Sequence, residues 1–367
     1  MDALVIGGTG PTGHFVVNGL LERGYRVAIL HTGNHEVDEI PPIVEHIHTN
    51  PYDESELAIA LGDRSFDLCV ATYGRLRVIA QLLSGRVGRF LSVGGQPAYR
   101  GYMNPELLDP PGLPVPVSEE RPLVRGPEED EKAYRIIRTE EAVFRHHPDA
   151  THFRYPYVYG PYQAAPREWC IVKRIMDGRP HIILPDGGLT LHSFGYAENM
   201  AHALLLAVDQ PQAACGQIYN CADEQTLTLR QTIEIIAAGM DHDWRIVNMP
   251  WELAMPACPL VMQPLTTHRV MDIGKLQQQL GYRDRVDPKE ALMRTVRWLV
   301  ANPPQADGVE HMVLQDPFDY QAEDLLVERW DAAMAGIEPV EFDSVPGYGM
   351  GYSGPGGRPR SSREFVE

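Results

Sequence analysis

Cysteine is scarce in this 367-residue chain. There are five, Cys69, Cys170, Cys215, Cys221 and Cys258, and no two stand at CxxC spacing. An odd handful without that spacing argues against a disulfide framework or a thiolate zinc site as the organising device. Cationic charge is also short. Lys and Arg number 32 against 50 Asp and Glu, a net of −18. Such a field repels phosphate backbones, so nucleic acid is disfavoured as a partner. No apolar stretch approaches the roughly 18 residues that cross a bilayer. Met1 leads almost directly into an apolar strand, so neither a membrane span nor a signal peptide is expected. The expectation is a soluble, reduced, cytoplasmic protein with no membrane partner.

Core-forming material is plentiful. Hydrophobic residues make up 44% of the chain and charged residues 22%. At about 100–200 residues per domain, the length favours two domains, or one large domain with a lobe. Gly and Pro are frequent but follow no collagen-like period.

The first thirty residues carry the sharpest signal. Ala3-Leu4-Val5-Ile6 is a short apolar run suited to a buried parallel strand. Gly7-Gly8-Thr9-Gly10-Pro11-Thr12-Gly13 follows, then a helical stretch from His14 to Arg23 and a second strand from Arg26 to Leu30. This is a βαβ unit with glycines at its first turn. The turn must be tight and must let a pyrophosphate approach the backbone. The helix N-terminus then offers N–H groups and positive dipole to the phosphates. A plain glycine turn in an α/β domain is the alternative. After the second strand, an acidic residue would bind the ribose of NAD and an Arg would favour NADP. The chain has His31-Thr32-Gly33-Asn34-His35 there. With no carboxylate to repel a 2′-phosphate, the cofactor expectation is NAD or NADP, leaning to NADP.

Strands at 46–48, 66–72 and 89–93 alternate with helices at 54–61 and 78–83, which reads as an α/β, Rossmann-type doubly wound parallel sheet. A loop at 104–127, a helix at 131–144 and a strand at 151–154 complete it. Later helices are placed at 167–177, 197–208, 229–239, 273–280, 288–301 and 319–335. Short strands fit 181–184, 217–220 and 244–248. The expected organisation is a dinucleotide-binding domain over 1–160, a mainly substrate-binding lobe over 161–302, and a C-terminal extension over 303–367, partly loop. The Gly-rich end, 343–367, is a disordered tail or an arm that wraps a partner subunit. The histidines His31, His35, His46, His48, His146, His147 and His192 show no HExxH-like spacing, so no metal site is expected.

Several segments together resemble the atypical extended short-chain dehydrogenase/reductase superfamily, the NAD-dependent epimerase/dehydratase group. Gly7 through Gly13 is similar to its glycine motif, and Ser118-Glu119-Glu120-Arg121-Pro122-Leu123 to its "E-D-x-P-L" segment. Arg154-Tyr155-Pro156-Tyr157-Val158-Tyr159-Gly160-Pro161 resembles "R-x-x-x-V-Y-G-P", and Phe194 through Ala201 resembles "F-V-H-V-D-D-L-A". Gly216-Gln217-Ile218-Tyr219-Asn220 is similar to "G-x-x-Y-N". Asp272-Ile273-Gly274-Lys275 with Leu280-Gly281-Tyr282 is similar to "D-x-S-K…L-G-W". The resemblance covers about 1–302.

The resemblance implies an acid/base tyrosine and a lysine at i, i+4, a spacing that sets both heads on one helix face. Tyr134 and Arg138 stand in that spacing, with Arg where the group has Lys. A guanidinium keeps its charge but does not readily relay a proton. At about 5 Å and an effective dielectric near 20 its charge would favour a phenolate by roughly 3 kcal/mol. Pairing of Arg138 with Glu141 on an exposed face is the alternative. The group's polarising Ser falls on Gly95, and loss of one such donor typically costs about 10²–10³ in rate. Gln96 and Ser92 are possible substitutes, and Tyr99 and Tyr73 possible pocket residues. His192 stands where sugar-nucleotide members usually carry Arg, and is a weaker, pH-dependent grip on a diphosphate. The implied cofactor contacts are Gly7, Gly10, Thr12, Gly13, Thr32, Asn50, Ala71 and Tyr157. Gly95, Gln96, Tyr99 and His192 would face substrate.

The expected function is an NAD(P)-dependent oxidoreductase, epimerase or dehydratase acting on a small polar carbonyl or alcohol. A non-catalytic dinucleotide sensor or scaffold, or a lyase that retains its cofactor, are the competing readings. The group often dimerises through a four-helix interface, so a homodimer using the helix at 131–144 is expected.

Overall fold

Alternating apolar strands and amphipathic helices leave each strand needing cover on both faces. The computed structural model describes residues 1–72, 74–261, 267–305 and 308–344. Its strands are β1 (Asp2–Ile6), β2 (Arg26–His31), β3 (Glu45–His48), β4 (Phe66–Ala71), β5 (Val87–Gly95) and β6 (Thr151–Tyr155). They continue as β7 (Tyr157–Tyr159), β8 (His181–Pro185), β9 (Phe194–Tyr196), β10 (Ile218–Asn220) and β11 (Arg245–Met249). The helices in the first part are α1 (Gly13–Glu22), α2 (Glu54–Leu61), α3 (Leu76–Leu82), α4 (Glu131–His146), α5 (Glu168–Met176) and α6 (Ala197–Asp209). After them come α7 (Pro211–Ala214), α8 (Leu229–Gly239), α9 (Cys258–Val261), α10 (Gly274–Leu280), α11 (Pro288–Ala301), α12 (Val309–Leu314) and α13 (Tyr320–Ala335).

Seven strands form one parallel sheet in the order β10-β6-β5-β4-β1-β2-β3. This is the doubly wound arrangement expected from the sequence. One face buries Val5, Ile29 and Val70 against Val16, Leu20 and Leu204 of α1 and α6. The other buries Leu4, Ile6 and Leu30 against Leu57, Ile79 and Val143 of α2, α3 and α4. Strand order reverses between β1 and β4, whose ends Ile6 and Ala71 pair. In open α/β sheets that crevice is where ligands bind.

Two parallel two-stranded pieces, β8 with β11 and β7 with β9, lie outside the main sheet. Strands β7 and β9 were not foreseen. Three residues are too few for alternation to announce a strand. Contacts divide the chain into Met1–Phe318 and Asp319–Glu367. The second unit contains α13, capped by Asp319, whose side chain accepts from the Ala322 N–H at 3.1 Å. All but the first two residues of the expected arm at 343–367 lie outside the described residues, as does Tyr73. Among the described residues no helix is long and apolar enough to cross a membrane.

Candidate active site

The glycine turn is built as its spacing requires. Gly7 has φ 110° and Gly8 φ 99°, backbone that side chains rarely adopt. A Cβ on Gly13 would lie 2.3 Å from the carbonyl carbon and oxygen of Gly8. The strand-to-helix turn therefore closes only because Gly13 has no side chain. Thr12 is the buried residue preceding α1, and no side chain caps that helix or places an acid in its first turn. The Gly13 N–H donates to the Gly10 carbonyl at 3.0 Å, and the helix end, without a side-chain cap, fits a pyrophosphate. Ala71 is buried at the end of β4, across the crevice from the glycine turn. Thr32 and Asn50 are exposed on the loops after β2 and β3, and the Asn50 Oδ1 accepts from the Tyr52 N–H at 3.0 Å.

The acid/base candidates stand on α4, which Asp130 caps by accepting from the Ala133 N–H at 2.7 Å. Tyr134 is half-buried against Ala98, Val124 and Ile137. Arg138 is exposed, its guanidinium 6.0 Å from the Tyr134 ring centre and 3.6 Å from the Glu141 carboxylate. Both partners therefore compete for it, in high dielectric, and the 3 kcal/mol coupling considered above shrinks to the surface range of about 0–1 kcal/mol.

The residues considered for substrate sit deeper. Gly95 ends β5 with ordinary extended backbone, φ −141°. Ser92 is buried and hydrogen-bonded to His152 Nδ1 at 2.7 Å. Gln96 is buried and donates to the Cys221 carbonyl at 2.7 Å, leaving its Oε1 without a partner. Tyr99 is buried, donating to Asn220 Oδ1 at 2.7 Å and accepting from Arg154 at 2.8 Å. These partners hold the wall of the crevice together.

His192 occupies the second hollow, and here the geometry changes the picture. Its ring is buried, 3.0 Å from the Tyr102 hydroxyl, and 5.6 Å from the Tyr157 ring. Burial, with Arg269 and Arg167 beside it, drives its basicity well below the ordinary range. At neutral pH it is an uncharged hydrogen-bonding group rather than the pH-dependent cation expected from the sequence. The positive charge comes from neighbours that sequence reading missed. Residue 269 pairs with residue 192 in a parallel bridge. Arg269 is 1% exposed, its guanidinium lies 4.7 Å from the Tyr102 ring centre, and its Nε, Nη1 and Nη2 have no hydrogen-bond partner among the described residues. Arg167 packs its guanidinium 3.4 Å over Phe194 and is paired with Glu168 at 3.1 Å. A buried cation left unpaired costs several kcal/mol. Beside His192 lies a small hollow lined by Arg167, Thr190 and Phe194 and by the apolar Leu227, Leu229, Leu260 and Val261, with Arg269 outside its lining.

Asp223 lines an adjoining hollow that shares Arg167, His192 and Phe194. It accepts from the Tyr159 hydroxyl at 2.9 Å, the Asn199 amide at 2.9 Å and the Tyr196 N–H at 3.0 Å. Burial first, then the charge of Asp284, pushes its carboxyl up to about 7. The folded state thus holds a proton here that the unfolded state releases near pH 4. Its contribution to stability is present below that range and is lost as pH rises toward 7. Asp223→Asn should remove this slope. The difference in Tm between variant and wild type, followed from pH 5 to pH 8, should move in favour of the variant.

Residues 132–222 match the model of the NAD dependent epimerase/dehydratase family. An uncharacterized protein of Sinorhizobium fredii, y4nL, is 28% identical over 170 residues, covering 41% of this chain and 47% of that one. The chain thus spans under half the length of the curated relatives it matches. Among solved structures, the UDP-glucose 4-epimerase of Thermotoga maritima with UDP-glucose superposes with TM-score 0.65 at 18% identity, covering 82% of this chain and 99% of that one. The dTDP-glucose 4,6-dehydratase DesIV of Streptomyces venezuelae, with NAD and TYD bound, gives TM-score 0.62 at 21% identity, covering 82% and 98%. Residues 132–222 thus resemble the family that the motifs point to, and the solved structures share the fold.

Proposed function

On the premise of an epimerase/dehydratase segment set in an extended short-chain dehydrogenase/reductase fold, we propose that this chain acts with NAD on a substrate that carries an anionic group. The observation that carries the reading is the buried guanidinium of Arg269, which lies 4.7 Å from the Tyr102 ring centre and has no carboxylate partner among the described residues. A phosphoryl group would satisfy it by charge-assisted hydrogen bonds. The nucleoside-diphosphate sugars named for the solved neighbours are the first class to test.

Within this reading NAD is held by the Gly7–Gly13 turn and the α1 N-terminus, with Thr32, Asn50 and Ala71 around the adenosine and Tyr157 nearer the substrate. NAD, when bound, supplies reversible hydride acceptance. Tyr134 holds or moves the proton at the reacting oxygen, and Arg138 keeps a positive charge one turn away. Arg269 and the neutral His192 orient the anionic part of the substrate. NAD is preferred over NADP because Glu36, five residues past β2, returns its carboxylate to within 3.6 Å of His31 Nε2. The lean to NADP rested on there being no carboxylate at this strand end, and Glu36 supplies one that a 2′-phosphate would meet.

The test is calorimetry with NAD+ followed by turnover on a panel of nucleoside-diphosphate sugars. Wild type should bind NAD+, and Gly13→Ala should weaken that binding at least about tenfold, since its Cβ has no room in the turn. Arg269→Met should raise KM for an anionic substrate by about tenfold or more, the loss expected when a charged hydrogen bond of 1.5–3 kcal/mol is removed. Flat calorimetry, or turnover of neutral carbonyls indifferent to Arg269, would overturn the reading.

A further inference from the structure

Four potential metal ligands converge at the outer edge of the main sheet, away from the hollow just described. His31 ends β2, His46 and His48 lie on β3, and Glu36 comes from the loop between them. Register explains the convergence. His31 pairs with His48 and Ile29 with His46, and residues two apart on a strand share a face. The three imidazoles therefore project from one face, the face on which Ile29 packs against α1. Spacing along the chain hides this, which is why no metal pattern was expected from the sequence.

The separations are those of atoms around a shared centre. His31 Nε2 lies 3.2 Å from His46 Nδ1. Glu36 Oε1 lies 3.6 Å from His31 Nε2 and 3.2 Å from His48 Nε2, while Glu36 Oε2 lies 3.2 Å from His46 Nδ1. All four ligand atoms can be drawn from a region 4.8 Å across. Tetrahedral zinc with bonds of about 2.0–2.1 Å holds neighbouring ligand atoms about 3.3 Å apart. The 3.2 Å contacts of His31 with His46 and of His48 with Glu36 also serve as hydrogen bonds. The rings meet nearly edge to face, at 71°, 84° and 89°.

We infer that His31, Glu36, His46 and His48 form a binding site for one divalent transition-metal ion of the zinc class. Three imidazoles and a carboxylate complete a tetrahedron, so no position is left open and the role is structural. The ion would tie the 32–40 loop and the edge strand β3 to β2. His31 is already suited to ligation. It is 3% exposed and fixed at the end of β2. Ligation through Nε2 places the ring proton on Nδ1, so the 3.3 Å approach of the Gly33 N–H to that atom would open.

The site shares Glu36 with the proposed NAD preference, so its test reads metal binding and not cofactor or turnover. The full chain, stripped with a chelator, is titrated with Co(II) and followed by visible absorption and circular dichroism. The expected result is one equivalent bound, with the intense absorption of tetrahedral Co(II), displaced by one equivalent of Zn(II). His46→Ala and Glu36→Gln should each weaken Co(II) binding by at least about 100-fold, the upper range for losses around metal sites, while retaining the wild-type far-ultraviolet spectrum. His146→Ala, on α4, should bind as wild type. No binding at micromolar metal, a weak octahedral spectrum only, or a tetrahedral signal that survives His46→Ala would overturn the site.

Discussion

Tyr134→Phe should lower turnover by about 10²–10⁴-fold, the usual contribution of a positioned acid or base. Affinity for NAD+ should stay within about twofold, because the phenol is assigned to the substrate and the pyrophosphate grip lies at the other end of the crevice. Removing one oxygen leaves the ring in place against Ala98, Val124 and Ile137, so α4 keeps its packing and the loss reads on chemistry alone. Arg138→Leu should cost much less, about tenfold or under, since its guanidinium is exposed and shared with Glu141. Steady-state kcat on the best substrate of the panel, beside calorimetry with NAD+, measures both. A Phe variant with full kcat would remove Tyr134 from the reaction and return the non-catalytic sensor or the lyase to the front.

The second large effect concerns what holds Tyr134 in place. Glu140, on the same helix, grips Arg154 of β6 in a two-pronged pair at 2.7 and 3.0 Å. Both residues are buried, and Arg154 also donates to Tyr99, which donates to Asn220 of β10. One helix and two strands are thereby locked to each other around a single charge pair. Glu140→Gln keeps the shape and removes the negative charge, leaving the guanidinium buried and uncompensated. Urea denaturation should show a loss of about 3–5 kcal/mol. The double variant Glu140→Gln/Arg154→Met should lose less than the sum of the single changes, because the second substitution removes the stranded charge. Strict additivity would show that the pair is not coupled.

How far these features were readable without coordinates depends on their physics. Gly13 was legible because its demand is local: a tight turn between an apolar strand and a helix admits no Cβ, and only glycine meets that. The strands and helices of the main sheet were legible for the same reason, since alternation and amphipathic period are written in consecutive residues, whereas the three-residue β7 and β9 were not. The i, i+4 spacing of Tyr134 and Arg138 was equally plain. Their shared helix was expected, but the exposure of Arg138 and its rivalry with Glu141 depend on what covers that face.

Arg269 was invisible because nothing in its neighbours along the chain marks it. It becomes a candidate anion ligand only through its bridge to His192, 77 residues away, and the burial that follows. His46 and His48 offered one faint signal, alternate residues on a short strand, but the register with His31 and the return of Glu36 turn them into a site. Sequence alone therefore determined the main sheet, the glycine turn and the family resemblance, all of which rest on backbone requirements met by near neighbours. Tertiary structure decided where charge is left without a partner and where ligands meet, because desolvation and convergence are properties of distant residues brought together by folding.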